Sequence, residues 1–264
     1  MNVEYEFLKV ETRATGLALV TLNRPEVLNA FNTRMAQEIA GFFIRAGTEG
    51  SGIRAVVLTG AGDRAFCTGA DLRERNNMTE EAWSRQHVTF ETMFESILFN
   101  PVPVICAVNG LAYGGGCELV TSCDFAYASE QAKFAHREVK LAIFPGGGGT
   151  QILPRAIGQK RASELILTGE PIDAQTALAW GLVNRTVPAG ELIDAALRTA
   201  DIICLNGPLA IRQAKKAIRY GQDVDLHTGL IFEREAYHQL IDTSDRREGI
   251  AAFNEKRNPV FTGR

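Results

Sequence analysis

The chain has 264 residues, of which 45% are hydrophobic and 22% charged, and its formal net charge is −3. This length can bury a substantial core in one large domain, or in one domain with an appended subdomain. The charge is nearly balanced and contains no block of Lys and Arg, which argues against binding of long polyanions such as nucleic acids. No apolar run approaches the roughly 20 residues that a membrane-spanning helix needs.

The first residues and the cysteines both favour a cytoplasmic protein. The opening sequence MNVEYEFLKVETR lacks the apolar core of a signal peptide and the Arg- and Ser-rich character of a transit peptide. The five cysteines include no C-x-x-C pair and are typical of free thiols in a reducing compartment. The histidines show no metal-ligand spacing, so no metal site is predicted, and they are interpreted as structural or surface residues: His87, His136, His227 and His238.

Strands and helices alternate along the first half of the chain. Apolar, β-branched runs predict strands at 17–25, 53–62 and 101–110. Apolar residues at helical spacing predict helices at 33–47 and 79–100, the second opened by a Thr with acids in its first turn. This alternation is typical of α/β architecture.

From about residue 159 the pattern becomes a succession of amphipathic helices, which continues to about residue 256. Gly and Pro separate them, and no repeat or flexible linker intervenes. Their apolar faces could cover the core or pack against other subunits.

Glycine clusters occur at 114–116 and 145–150, and a related turn lies in FCTGADL at 66–72. Neither cluster has the spacing of a phosphate-binding or dinucleotide-binding loop. They are interpreted either as tight turns or as backbone N–H groups left open for an anionic oxygen at a helix N-terminus.

Two glutamates draw attention beside these clusters. Glu118 follows GGG among small and apolar residues, where a buried carboxylate is costly unless it is paired or hydrogen-bonded. From the residues alone it could belong to a structural ion pair as well as to a functional site. From the residues alone, Glu138, beside His136 and Arg137, fits a solvated face better than a functional site.

The ordered motifs RAFCTGADL, PVPVICAVNGLAYGGGCELVTSCDFAYAS and AHREVKLAIFPGGGGTQILPRAIG resemble the crotonase (enoyl-CoA hydratase/isomerase) superfamily. The resemblance extends from residue 22 to residue 257. It implies an α/β spiral of ββα units at 1–200, with the CoA and active sites, and a helical trimerisation region at 201–264. It also implies a homotrimer or a homohexamer built as a dimer of trimers.

The same resemblance implies the roles of the site residues. The amides of Ala70 and Gly115 would form an oxyanion hole for the thioester carbonyl. Glu118 would take a proton from the attacking water, Glu138 would deliver a proton to the substrate, and the amide of Gly146 would help to hold the water. No metal or other cofactor is implied, since coenzyme A is part of the substrate.

The implied contacts to CoA come from both ends of the chain. They are Val27, Leu28, Ala70, Asp71, Leu72, Arg73, Phe253 and Lys256, the last two often reaching the CoA of a neighbouring subunit. Glu26 departs from the family, which often has lysine there, and Arg24 or Lys256 could supply the missing charge.

The resemblance favours an enoyl-CoA hydratase that adds water across the 2,3-double bond to give a 3-hydroxyacyl-CoA, as in fatty acid β-oxidation. A methylglutaconyl-CoA hydratase of leucine degradation is the first alternative, and Lys140, which follows that subgroup, could pair with a distal carboxylate or simply be solvated. An enoyl-CoA isomerase is a further alternative. An RNA-binding protein is the least favoured, because the helix at 33–47 has two arginines and no lysine.

Overall fold

The computed structural model of the chain describes residues 3–264. The strands are β1 Leu8–Thr12, β2 Leu17–Leu22, β3 Ala55–Gly60, β4 Ala65–Cys67, β5 Val104–Val108, β6 Leu111–Tyr113, β7 Phe125–Ser129, β8 Lys133–Ala135, β9 Ile172–Asp173 and β10 Arg185–Val187. The helices are α1 Thr33–Gly47, α2 Leu72–Arg75, α3 Glu80–Leu98, α4 Gly115–Ser122, α5 Gly149–Ile157, α6 Gln159–Thr168, α7 Ala174–Trp180, α8 Leu192–Cys204, α9 Pro208–Gly221, α10 Leu226–His238 and α11 Ser244–Glu255. Short 3-10 turns occur at Pro25–Val27, Glu138–Leu141 and Ala189–Glu191.

The strands form two sheets. The larger has six strands in the order β1-β2-β3-β5-β7-β10, and the smaller has four in the order β4-β6-β8-β9. In the larger sheet β1 and β2 are antiparallel and the remaining pairs are parallel. The smaller sheet is parallel except for the antiparallel pair β8–β9.

The order of the strands describes a repeated ββα unit. The pairs β3–β4, β5–β6 and β7–β8 each place one strand in the larger sheet and the next in the smaller one. After each pair the chain enters helices, first α2 and α3, then α4, then α5. The spiral of ββα units expected from the resemblance is therefore present.

Burial explains why the central strands are so apolar. Every residue of β3 and of β5 is buried, as expected for parallel strands covered on both faces. Helix α1 packs its apolar face into the main core, and Asn32 caps its N-terminus by accepting from the N–H of Met35. A second core cluster lies between the larger sheet and α8, around Leu192 and Ala196.

The C-terminal third is helical, with short strands that the sequence pattern did not predict. Strands β9 and β10 each join the edge of a sheet, between the helices α6, α7 and α8. The predicted boundary between residues 200 and 201 falls inside α8, which packs on the larger sheet. Helices α9 to α11 follow it and leave large apolar side chains exposed, including Leu226 and Phe253. Within residues 3–264, no helix combines the length and the hydropathy needed to cross a membrane.

Candidate active site

One cavity of about 510 Å³ gathers the residues that the motifs pointed to. Its walls include Ala70, Gly115, Glu118, Glu138 and Gly146, which come from four separate stretches of the chain. Helix α3 forms one side, and the 3-10 turn at Glu138–Leu141 and the loop after it form another. This central cavity is the candidate active site.

The backbone amides of Ala70 and Gly115 are free to donate into the central cavity. The backbone N–H of Phe31 donates to the carbonyl of Gly69, and the carbonyl of Phe31 accepts from the N–H of Asp71. The N–H of Ala70, which lies between these two residues, takes no part in this pairing. Gly115 is the first residue of α4, where N–H groups have no acceptor within the helix. Within residues 3–264 neither amide donates a hydrogen bond to the chain.

Glycine at 115 and 116 allows the two loops to meet. A Cβ built on Gly116 would lie 1.9 Å from the carbonyl oxygen of Cys67, and one on Gly115 would lie 2.7 Å from the Phe31 ring. A Cβ on Gly69 would lie 3.0 Å from the amide nitrogen of Gly115, and Gly69 has a φ of +89°. The glycine cluster is therefore required by close backbone packing, and the same packing brings the two free amides together.

Glu118 is a buried carboxylate held by backbone amides. It lies on α4, and its Oε1 accepts from the N–H of Gly147 at 2.7 Å and from that of Gly149 at 2.8 Å. Gly149 begins α5, so the carboxylate also lies at the positive end of that helix. Burial raises the pKa of Glu118, and the nearby charge of Glu138 raises it further, while the two amides and His136 oppose the change.

The side chain of Glu138 is almost fully buried, and its carboxylate lacks hydrogen-bond donors within residues 3–264. Glu138 opens the 3-10 turn at Glu138–Leu141, its side chain is 13% exposed, and it lines the central cavity. Neither of its carboxylate oxygens has a hydrogen-bond partner within the part of the chain that the structure describes. A buried polar atom without a partner is costly, which points to a ligand as the missing donor.

His136, which sequence analysis interpreted as a structural or surface residue, lies beside Glu138 and near Glu118. Its ring is fully buried, with Nδ1 3.5 Å from Oε1 of Glu138. A Cβ built on Gly149 would lie 3.0 Å from both Cε1 of His136 and Oε1 of Glu118, so the two side chains reach the same point. Burial disfavours the imidazolium, but Cys117 and Glu138 favour it more, and the pKa of His136 is raised to about 10.

Gly146 also lies on the cavity wall, next to Gly147, where a side chain would not fit. A Cβ at Gly146 would lie 3.2 Å from Cε1 of His87, and one at Gly147 would lie 2.2 Å from the Phe94 ring. The N–H of Gly146 donates to no acceptor within residues 3–264. The loop thus brings one free amide and two amides bound to Glu118 to the same place.

The predicted CoA contacts near the N-terminal motifs are arranged around Asp71. Asp71 is buried, caps α2, and pairs with Arg73 at 3.0 Å and with Arg24 at 3.1 Å. Hydrogen bonds from Arg73 hold the pKa of Asp71 below its usual range. Because Arg24 is largely buried and also donates to the carbonyl of Ala30, it is not a free charge for a phosphate. Arg73 is exposed, but its guanidinium is likewise paired with Asp71.

The other N-terminal contacts are close by in the fold. Leu28 adopts a left-handed conformation at the end of the 3-10 turn that contains Val27, and its carbonyl accepts from the hydroxyl of Thr68. Leu72 is half exposed at the mouth of the central cavity. Glu26 is exposed in the same turn.

Phe253 and Lys256 do not lie at the central cavity of the same chain. Phe253 is on α11 and is 84% exposed, and Lys256 ends that helix in a left-handed conformation. Phe253 instead lines a separate groove between α9, α10 and α11. A single copy of the chain does not bring these two residues to the other candidate contacts.

Sequence reasoning missed the aromatic wall of the central cavity. Four side chains of α3 line it: Trp83, His87, Phe90 and Phe94. Their spacing of four, three and four residues is that of one helix face, so the signal was available in the sequence. Arg75, at the end of α2, packs against this wall and was also missed.

Lys140 pairs with Glu170 through a hydrogen-bonded ion pair at 2.5 Å and is not on the cavity wall. Lys140 is therefore paired outside the central cavity. Within residues 3–264, no three side chains of the His, Cys, Asp and Glu types come together in a way that could hold a metal ion.

Comparisons with known proteins agree with this geometry. The family model described as Enoyl-CoA hydratase/isomerase matches residues 12–264. The chain is 41% identical to the short-chain-enoyl-CoA hydratase of Clostridium acetobutylicum, over 91% of this chain and 92% of that one. It is 39% identical to the 2,3-dehydroadipyl-CoA hydratase of Escherichia coli, over 97% of this chain and 98% of the other.

A solved structure matches the whole spiral. The crystal structure of an enoyl-CoA hydratase from Bacillus anthracis superposes with a TM-score of 0.95 at 44% identity, covering 98% of this chain and all of that one. The predicted α/β spiral is confirmed by this match. The chain belongs to the enoyl-CoA hydratase/isomerase family and has the crotonase fold.

Proposed function

We propose that this enzyme adds water reversibly across the 2,3-double bond of a short-chain enoyl-CoA, giving a 3-hydroxyacyl-CoA. The observation that carries the proposal is the meeting of two carboxylates with two free amides in one cavity. Glu118 and Glu138 both line it, as do Ala70 and Gly115. Hydration needs a base for water, an acid for C2 and donors for the developing enolate oxygen, and these four residues can supply them.

The amides would act on the thioester carbonyl. As hydroxide adds to C3, negative charge develops on the carbonyl oxygen, and the N–H groups of Ala70 and Gly115 would donate to it. Gly115 begins α4, so the helix dipole adds to this stabilisation. Removing one donor of this kind typically costs about 3–4 kcal/mol of transition-state stabilisation.

The glutamates would divide the proton transfers. The ionised Glu118 would take a proton from water while the oxygen of that water bonds to C3, and the protonated Glu138 would deliver its proton to C2. A proton transfer from Glu118 to Glu138 would restore the starting state. The raised pKa of Glu118, which follows mainly from its burial, suits a base that must also give its proton back near neutral pH.

The free amide of Gly146 and the unsatisfied oxygens of Glu138 support a water site between the glutamates. Both line the cavity, and neither has a partner within residues 3–264. The proposed reaction needs no metal or redox cofactor, because all the charge changes are met by carboxylates and amides.

CoA itself would be bound by Val27, Leu28 and the segment from Ala70 to Arg73, with Phe253 and Lys256 supplied by a neighbouring copy. The distance of those last two residues from the cavity of their own chain supports a homotrimer or a dimer of trimers. The exposed apolar side chains on α9 to α11 support it further. A fully active monomer in light scattering at micromolar concentration would contradict this assembly.

The cytoplasm is the proposed location, supported by five buried, free cysteines. A pathway assignment to fatty acid or leucine degradation depends on the acyl group. Lys140 gives no support to a distal-carboxylate partner, because it is already paired with Glu170.

The proposal is tested by following the loss of ultraviolet absorbance of crotonyl-CoA and by chromatography of the 3-hydroxybutyryl-CoA formed. Hydration should be at least tenfold faster, in kcat/KM, than isomerisation of the matched 3-enoyl-CoA. Isomerisation without hydration would instead identify an enoyl-CoA isomerase.

A further inference from the structure

Arg75 is a cation placed against the aromatic wall of the central cavity. It ends α2, is half buried, and its guanidinium carbon lies 5.5 Å from the ring centre of Trp83 and 5.3 Å from that of Phe90. Both aromatic residues and Arg75 line the cavity. The packing fixes the plane of the guanidinium and removes part of its contact with water.

The guanidinium has unused hydrogen-bond donors. Its Nε donates to Oε1 of Gln86 at 2.8 Å, and this is its one hydrogen bond within residues 3–264. In that same part of the chain no carboxylate oxygen lies within 4.0 Å of its nitrogens. The adjacent Glu74 accepts instead from the N–H of Thr33 and from Gln86.

Other arginines near the site are already satisfied or solvated. Arg73 pairs with Asp71, and Arg24 pairs with the same carboxylate. Arg137, which also lines the cavity, is exposed and lies 5.7 Å from the ring centre of Tyr113. Arg75 differs because it is half buried and no carboxylate contacts its guanidinium directly, Glu74 being linked to it only through Gln86. Burial lowers the pKa of Arg75 and the charge of Glu74 opposes this, and the guanidinium stays charged at any ordinary pH.

A substrate with a purely hydrocarbon acyl chain does not account for a cation in this wall. The wall beside Arg75 is mainly apolar, including Phe94, Leu141 and Phe144, and a partly desolvated cation there is stabilised by an anion in direct contact. A planar guanidinium with two free Nη groups matches a carboxylate, which it can bind with two parallel hydrogen bonds.

We propose that Arg75 binds a second carboxylate at the far end of the acyl chain, so that the preferred substrates are CoA thioesters of dicarboxylic acids. This inference rests on the proposed function, since it takes the central cavity as the site of the acyl group. It adds the chemical class of that group. The thioester end of the chain would lie at Ala70 and Gly115, and the free carboxylate would lie against the Nη groups of Arg75.

Binding of saturated thioesters tests the inference without requiring turnover. We would compare 5-carboxypentanoyl-CoA with 5-carbamoylpentanoyl-CoA, which has the same shape and no charge, and with hexanoyl-CoA, by titration calorimetry. The full-length enzyme should bind the acid at least about tenfold more tightly than the amide, as expected for a charge-assisted hydrogen bond in a cavity. Arg75→Met should bring that ratio close to one.

Matched variants distinguish the effect of the Arg75 charge on binding from effects of misfolding and of distant charges. Arg85→Met removes an exposed arginine of α3 that pairs with Glu81, and it should keep the wild-type ratio. Arg75→Lys keeps a charge and should keep part of the preference. Circular dichroism checks that each variant is folded, and if Arg75→Met does not fold, Arg75→Gln replaces it.

Three results would overturn the inference: equal affinity of the wild-type enzyme for acid and amide, an unchanged ratio in Arg75→Met, or an equal loss of affinity for every thioester. The last would assign Arg75 to the CoA moiety. Hydration of 5-carboxypent-2-enoyl-CoA and hex-2-enoyl-CoA is measured in parallel. If the binding preference is present but neither compound is hydrated, the proposed hydration fails, while the binding of the carboxylate by Arg75 stands.

Discussion

Nδ1 of His136 lies 3.5 Å from Oε1 of Glu138, and neither atom has a hydrogen-bond partner elsewhere in residues 3–264. The imidazole is fully buried and its pKa is raised to about 10 by Cys117 and Glu138 against the effect of burial. His136 therefore contacts Glu138 from outside the cavity, while Glu138 itself lines the cavity.

Replacing His136 should affect catalysis through Glu138. His136→Leu removes the imidazole that lies 3.5 Å from the Glu138 carboxylate and should lower kcat about tenfold or more, which is about 1.4 kcal/mol of transition-state free energy. KM should change much less, because His136 does not line the cavity. His136→Gln can still donate and should recover most of kcat. Equal kcat values for the Leu and Gln variants would show that the ring has only a packing role.

Gly149 should not tolerate even a methyl group. A Cβ there would lie 2.7 Å from Cβ of Pro145 and 3.0 Å from Oε1 of Glu118 and Cε1 of His136. Gly149→Ala should therefore cost about 1–3 kcal/mol of unfolding free energy through overpacking, and should lower kcat by displacing Glu118.

Gly190 provides the matched control, because a Cβ at that position would meet nothing within 4 Å. Gly190→Ala should leave kcat unchanged and should shift the midpoint of urea denaturation only slightly. If Gly149→Ala behaved like this control, the close packing around Glu118 would be wrong.

The stability of the enzyme should depend on pH through Glu118. Burial raises the pKa of Glu118 in the folded state above its value in the unfolded chain. The protonated form is then favoured by folding, so the associated stability is present at low pH and is lost as pH rises through the folded-state pKa. Glu118→Gln cannot ionise and does not lose this contribution. The difference in Tm between Glu118→Gln and the wild type should therefore increase from mildly acidic to neutral pH.

Calorimetry of both proteins across this range measures that difference, and groups common to both cancel from it. A difference that stays constant with pH would mean that the two amides and His136 fully offset the burial of Glu118.

Local pattern was enough to predict several elements. The helix predicted at 33–47 coincides with α1, because apolar residues at helical spacing bury one face. The helix predicted at 79–100 is Glu80–Leu98, with Thr79 as its cap. By contrast β6 and β8 have three residues each, too few for an alternating pattern to be recognised.

The site itself could be predicted only in part. The five residues implied by the family motifs do line one cavity, but sequence spacing could not give the bonds from Gly147 and Gly149 to Glu118, which are 29 and 31 residues away. The interpretation of His136 as a structural or surface residue did not place it beside Glu138, because nothing local shows that the strand before it ends inside the core. Arg75 carries no sequence signal because its four-residue helix is too short to show a face.

The two glutamates provide the most direct test of the proposed hydration. Glu118→Gln and Glu138→Gln keep the size of each side chain and remove the base or the acid. Each should lower kcat for crotonyl-CoA at least about 100-fold, the lower end of what positioned acid–base groups contribute. The double variant should lose little more than either single variant, because each removal disables the same concerted step. An isomerase, which needs one proton shuttle, would lose nearly all activity with one substitution and keep most of it with the other.

Glu130→Gln, on the exposed turn after β7, is the control and should leave kcat unchanged. Binding of a saturated thioester, measured by calorimetry, verifies that both variants keep the site. Near wild-type hydration by Glu118→Gln would exclude Glu118 as the residue that activates water.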